Sequence, residues 1–287
     1  MKSRRIAAAL VGMMCLAGAS AASAADAKVY WTTSGFFGPF NIQGLIPSFP
    51  TARDITIPVS MWIIDHPKGL MVFDTGNNVA VSDGGCQSHW AKGICEFVKP
   101  SQKREDVIDM QLKKLGYSVD KVKVVVHSHT HHDHIGNIEM FPNAIHMMQK
   151  KELYQGWWPE KFQGREQLNG VFVQADIDGT RGFNFVELEG DYDVFGDGSV
   201  QLLSTPGHTL GHQSMKVKMG AKTIVITQDA VWMKENLEGY AAGLNYSVQD
   251  YFKSVNRLKA IRDLEGAELL MAHDGDQYAA KGGRWVK

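Results

Sequence analysis

The stretch Val124-Val-Val-His-Ser-His-Thr-His-His-Asp-His134 decides the reading of this 287-residue chain. A β-branched apolar run feeds directly into five histidines and an aspartate. Within it, His129, His131, Asp133 and His134 form the pattern His-x-His-x-Asp-His. Imidazole nitrogens and carboxylates are ligands for zinc and similar borderline metals. The i, i+2 spacing does not place both histidines on one helical face, where metal-binding pairs sit four apart. It fits a loop leaving a strand, with successive side chains folded around two ions. A solvated histidine tract would make no demand on the rest of the sequence. A two-metal centre demands further ligands elsewhere.

Three later segments have the design that supplies them. Val200-Gln-Leu-Leu-Ser-Thr-Pro-Gly-His208 is a short apolar run, a Pro-Gly turn and a histidine. Thr223-Ile-Val-Ile-Thr-Gln-Asp229 ends a β-branched run in a carboxylate, and Glu268-Leu-Leu-Met-Ala-His273 ends one in a histidine. Four strand-like segments therefore each deliver metal-ligand chemistry just past their C-terminal ends.

In this order the set resembles the metallo-β-lactamase superfamily. The resemblance implies that His129, His131 and His208 hold one metal, that Asp133, His134 and His273 hold the other, and that Asp229 bridges both. His127 and His132 lie outside the pattern and read as supporting or solvent-facing. His212 reads as structural, and His66, His89 and His146 as ordinary. Asp74-Thr-Gly-Asn-Asn also resembles the superfamily, with Asp74 supporting the site from behind. The fold implied is α/β (α+β): an αββα sandwich of two mixed β-sheets flanked by helices. Composition alone says only α/β or α+β.

The N-terminus reads as a cleavable signal peptide over residues 1–25. Lys2, Arg4 and Arg5 precede the apolar run Ile6 to Ala17, and Ala22-Ser-Ala24 offers a small-residue cleavage site. The run falls short of the roughly 20 apolar residues of a membrane span. Export to the periplasm, or secretion, is expected, with residues 26–287 as one hydrolase domain. Removing residues 1–25 takes away three basic and no acidic residues, so the net charge moves from −1 to −4. With no run of Lys or Arg to follow a phosphate backbone, nucleic acid is not expected as a partner, nor is a membrane. The mature chain keeps two cysteines, Cys86 and Cys95, which an oxidising compartment can join.

Coarser patterning predicts strands over residues 55–64, 70–73, 122–126 and 144–148. Helices are expected over residues 105–115, 150–158 and 247–261, and a loop-rich insertion between Pro159 and Gly190.

Further segments narrow the resemblance. Ile55-Thr-Ile-Pro-Val-Ser-Met-Trp, Asp65-His-Pro-Lys-Gly, Phe141-Pro-Asn-Ala-Ile-His, Asp191-Tyr-Asp-Val-Phe-Gly-Asp-Gly and Asp229-Ala-Val-Trp-Met-Lys-Glu-Asn236 are similar to the N-acyl homoserine lactone lactonases. This implies a dinuclear zinc hydrolase, as monomer or homodimer, opening a small-molecule lactone or ester. Two metals sharing a water lower its pKa and provide a hydroxide nucleophile. Asp133 would orient it and pass a proton to the leaving alkoxide, and Asp229 would fix the metal separation. Cobalt, manganese or iron suit the same ligands. One position departs from the lactonases: their tyrosine, three residues after the bridging aspartate, is Trp232 here. Its indole N–H can donate to the oxyanion, its ring can pack an acyl chain, or Tyr240 or Tyr246 can take the tyrosine's place. Trp232 thus leaves open another lactone, a carboxylester or an organophosphate triester as substrate; from a different class, a metal-binding protein without catalysis is the further alternative. Trp90, Trp157, Trp158 and Trp232, with Met147 and Met148, are the candidate lining of an apolar substrate groove.

Overall fold

A computed structural model of the protein describes residues 27–158 and 171–286. The expected signal segment, residues 1–25, lies outside the described residues, as do residues 159–170 of the expected insertion. Twelve strands are described: β1 (Lys28–Asn41), β2 (Asp54–His66), β3 (Gly69–Phe73), β4 (Val122–Val126), β5 (Ile145–Gln149), β6 (Asn184–Leu188), β7 (Tyr192–Asp193), β8 (Val200–Ser204), β9 (Gln213–Met219), β10 (Lys222–Ile226), β11 (Glu268–Leu270) and β12 (Arg284–Trp285). They form a seven-stranded sheet in the order β12-β1-β2-β3-β4-β5-β6 and a five-stranded sheet in the order β11-β10-β9-β8-β7. Both sheets are mixed. β3 through β6 pair in parallel, as do β10 and β11, and the remaining pairs are antiparallel.

Side-chain alternation explains the layering. Val124 and Val126 of β4, with Phe73, Met147 and a stacked Trp31–Trp62 pair, meet Leu202, Met215, Ile224 and Ile226 of the second sheet in an apolar interlayer. Val125 points the other way, onto Ile108 and Leu112 of the helix Ile108–Lys114. Val225 likewise turns outward, toward Tyr251, Val255 and Leu258 of the helix Val248–Glu265. Both faces of each sheet are thus covered, which is the expected αββα sandwich.

Several boundaries differ from the sequence reading. The helix expected over residues 105–115 begins as a 3₁₀ turn, Arg104–Asp106, and becomes α-helical only at Ile108. The helix expected at Ser247 starts one residue later, because the Ser247 side chain caps it, and it runs on to Glu265. Within the part of the insertion that is described, Asn184–Leu188 is not loop but the edge strand β6, parallel to β5. Its half-exposed, polar-interrupted sequence hid it, as expected for an edge. β1 carried no strand signal because Gly35, Gly38 and Pro39 interrupt it. In the fold they accompany shifts of register against β2.

Candidate metal centre

β8, β10 and β11 run in one direction, so their C-terminal ends share an edge of the second sheet, and β4 delivers its own C-terminal loop to the same place. His129 and His131 sit on that loop. Asp133 and His134 lie in the short helix His132–Ile135, and His208, Asp229 and His273 follow β8, β10 and β11. All seven sequence-expected ligands come together there. His129, His131, His208 and Asp229 form one group and Asp133, His134 and His273 another, the ligand atoms of each lying within 4.8 Å of one another.

Asp229 joins the two groups. Its Oδ2 lies 3.1 Å from His208 Nε2 and 3.9 Å from His129 Nε2. Its Oδ1 lies 3.3 Å from both His134 Nε2 and His273 Nε2. His131 enters through Nδ1, 3.0 Å from His129 Nε2 and 3.1 Å from His208 Nε2. Asp133 Oδ2 stands 3.5 Å from His134 Nε2 and 3.7 Å from His273 Nε2.

The nitrogens on the far side of the rings fix these orientations. His208 Nδ1 donates to the Leu244 carbonyl at 2.6 Å, His273 Nδ1 to the Pro58 carbonyl at 2.7 Å, and His134 Nδ1 to Asp74 Oδ2 at 2.7 Å. In the neutral ring, the form that binds a metal, each Nε2 is thereby a lone pair facing the centre. Asp74 is fully buried and accepts from the Ser128 amide, the Ser128 hydroxyl and Gln228 Nε2. It therefore supports the site from behind. Asp74 and Gln228, at φ 61° and 45°, both hold left-handed backbone conformations, which cost on the order of 1–3 kcal/mol each and cluster at functional sites.

The electrostatics favour cations here. Burial, reinforced by the neighbouring His134, keeps the His129 imidazole well below its ordinary value, and burial with His208 does the same for His131. Burial acts to raise Asp229, but His134, His273 and His208 hold its carboxyl well below the usual range. Against the same burial, Asp133 and Asp229 raise His134 well above its ordinary value, and Asp229 raises His273. His134 Nε2 and Asp229 Oδ1 are nevertheless buried without a hydrogen-bond partner among the described residues. Five imidazoles and two carboxylates packed so closely, with such atoms orphaned between them, fit a pair of divalent cations.

Two supports were not legible in the sequence. Glu152, fully buried in the helix Lys150–Trp157, accepts from the Thr130 amide and hydroxyl at 2.9 and 2.8 Å and from the Gly211 amide at 2.9 Å. It ties the His129–His131 loop to the His208 loop. Gln213 donates to the His127 carbonyl at 2.8 Å. His127 and His132 are buried too, so neither faces solvent, and His89 is partly buried. His127 pairs with His146 at 3.0 Å. His212 Nδ1 lies 3.1 Å from the Thr205 carbonyl, and its Nε2 accepts the Asp229 amide at 3.0 Å.

The tryptophans divide. Trp232 stands edge-on to His208 and His273, with ring centroids 5.5 and 6.1 Å away, and its buried Nε1 has no partner among the described residues. Trp90 packs on His132 at 4.3 Å. Trp157 and Trp158 pack on one another, on Phe185 and Tyr154, and on Arg181. The structure brings neither into ring contact with a ligand. Met147 lies in the interlayer and Met148 packs with Ile135, Leu153 and Ile177, so neither lines a groove. Tyr240 packs on Phe49, and Tyr246 is half exposed. Cys86 and Cys95 are joined as a disulfide.

Residues 55–273 match the model of the metallo-β-lactamase superfamily. The chain is 34% identical over 263 residues to the N-acyl homoserine lactonase AttM of Azorhizobium caulinodans, covering 88% of this chain and 95% of that protein. It is 35% identical over 264 residues to AttM of Agrobacterium fabrum, with the same shares covered. Among solved structures, a Bacillus thuringiensis AiiA variant with N-decanoyl-L-homoserine bound at its active site superposes with a TM-score of 0.76, at 25% identity, over 90% of this chain and 98% of that one. With the ligand pattern, the sandwich and these likenesses in agreement, the chain belongs to the metallo-β-lactamase superfamily and is a metal-dependent hydrolase.

Proposed function

We propose that the protein opens the lactone ring of N-acyl homoserine lactones, using two zinc ions held by the seven-residue centre. The observation that carries the reading is Asp229, whose two carboxylate oxygens each face one ligand group. Its support is the near full-length similarity to proteins named for this activity. His129, His131 and His208 with Asp229 Oδ2 would hold one ion. His134, His273 and Asp133 with Asp229 Oδ1 would hold the other. When bound, the ions supply an activated water and Lewis-acid polarisation of the ester.

The chain's own residues do the rest. Asp133, whose side chain is 12% exposed against 4% for Asp229, presents the more open carboxylate. It is the group placed to orient the water and return a proton to the leaving ring oxygen. The Trp232 N–H, with no acceptor among the described residues, is the donor for the substrate carbonyl. Its presence at the lactonase tyrosine position also favours a second reading, the same centre acting on another lactone, a carboxylester or an organophosphate triester. Residues 1–25 direct export in this proposal, which the disulfide suits because such bonds persist in oxidising compartments.

The test is ring opening of a long-chain N-acyl homoserine lactone by the purified mature protein, before and after chelation and with zinc restored. Metal-dependent turnover supports the assignment. Absence of turnover with two bound metals passes the reading to the other esters.

A further inference from the structure

Beyond Asp74, which touches both the His129 loop and His134, the two ligand groups have further braces from different parts of the chain. Glu152 serves the loops of His129, His131 and His208. The helix His132–Ile135, which carries Asp133 and His134, is held at His134 by Asp74 and the Thr75 amide, and at its first residue, His132, by the short loop that the Cys86–Cys95 disulfide closes. Inside that loop Trp90, buried and turned back by the hydrogen bond its backbone amide donates to the Cys86 carbonyl, lays its ring 4.3 Å from that of His132, at the start of the ligand helix. The preceding His89 places Nε2 2.6 Å from Asp176 Oδ1. Asn78 Nδ2 donates to the same oxygen at 2.9 Å and to the Gly136 carbonyl, just past the helix, at 2.6 Å. Gly136 has no slack, since a Cβ there would lie 2.2 Å from the Asn78 amide. The ten-residue loop closed by Cys86 and Cys95 thus bears directly on the start of the four-residue helix through Trp90, and reaches its far end through Asp176 and Asn78.

We propose that the Cys86–Cys95 loop is a positioning device for the second metal only, with Trp90 as its contact. Cutting the staple frees Trp90 from His132 and lets the start of the helix, with Asp133, drift, while Asp74 keeps His134 and Glu152 keeps the first group in place.

The experiment strips the protein of metal and titrates it with zinc against a chromophoric chelator. The wild type is expected to take two zinc ions per chain. The double variant Cys86→Ser, Cys95→Ser is expected to keep the first affinity and bind the second ion at least tenfold more weakly. Trp90→Ala with the disulfide intact is expected to do the same, and Trp90→Phe to restore the second ion. His273→Ala, which removes a ligand from the second group, identifies the weakened site: in that background, cutting the staple should leave the remaining zinc unchanged. If the cysteine variant does not fold, the Trp90 pair decides. Equal weakening of both ions, or an unchanged second ion in Trp90→Ala, overturns the proposal.

Discussion

His212 accepts the backbone amide of Asp229 at 3.0 Å, so the carboxylate that faces both ligand groups is set by a histidine outside them. Burial, with His208 alongside, pushes the His212 imidazole down to about 3, which keeps it neutral and its Nε2 an acceptor. His212→Ala removes that acceptor. Zinc affinity is expected to fall by about 10–100-fold, the usual consequence of losing a partner that orients a ligand. Chelator competition, with circular dichroism to check the fold, measures it. Unchanged affinity would make His212 a packing residue only.

Trp232 offers a sharper separation of binding from chemistry. Trp232→Phe keeps a ring against His208 and His273 but deletes the N–H that has no partner among the described residues. A fall of roughly tenfold in kcat with both zinc ions retained is expected, the equivalent of one hydrogen bond of about 1.4 kcal/mol gained in the transition state. Trp232→Tyr, which restores the residue of the resembled lactonases, should recover or exceed the wild-type rate on lactones. Equal rates for all three would remove Trp232 from the reaction.

Glu152→Ala leaves the Thr130 and Gly211 amides buried without acceptors. The expected loss is on the order of 3 kcal/mol of stability, from two stranded donors at about 1–3 kcal/mol each. Denaturant unfolding of the metal-free protein reads it directly. A loss below about 1 kcal/mol would show that the loops find other partners.

The disulfide loop should also respond to pH through His89. Its hydrogen bond to Asp176, outweighing burial and aided by the Asp176 and Glu139 charges, holds the imidazole above its ordinary value of 6.5. A group raised on folding stabilises fully below its unfolded pKa and loses that contribution as pH rises through the folded one. Unfolding of wild type and His89→Gln is expected to differ by roughly 1 kcal/mol near pH 6 and to converge by pH 9. A difference that grows with pH would contradict the pairing.

How much of this could be read beforehand follows from where the chemistry sits. The ligands were legible because each closes an apolar run, so a one-dimensional pattern carried a three-dimensional site. Glu152 was not, because among Lys150, Lys151 and Tyr154 it reads as one more charge on a helix, and only burial shows what it does. Trp157 and Trp158 looked like candidate lining by residue type alone. Their neighbours, Phe185 and Arg181, lie more than twenty residues away in sequence, and no local signal announced that packing. β1 and β6 were missed for opposite reasons, one broken by turn residues inside a long bulged strand and the other too polar at the margin of its sheet.

The origin of the ligands has a mechanical consequence. His129, His131, Asp133 and His134 hang from the first sheet, whereas His208, Asp229 and His273 hang from the second. Each ligand group therefore straddles the seam between the layers, and the interlayer itself is joined by apolar contact. A cation in either group is a rivet through both plates at one rim. Ions that bind only the folded state stabilise it by mass action. The enzyme's resistance to heat is then tied to the same atoms as its chemistry, and a chelator that silences the one loosens the other.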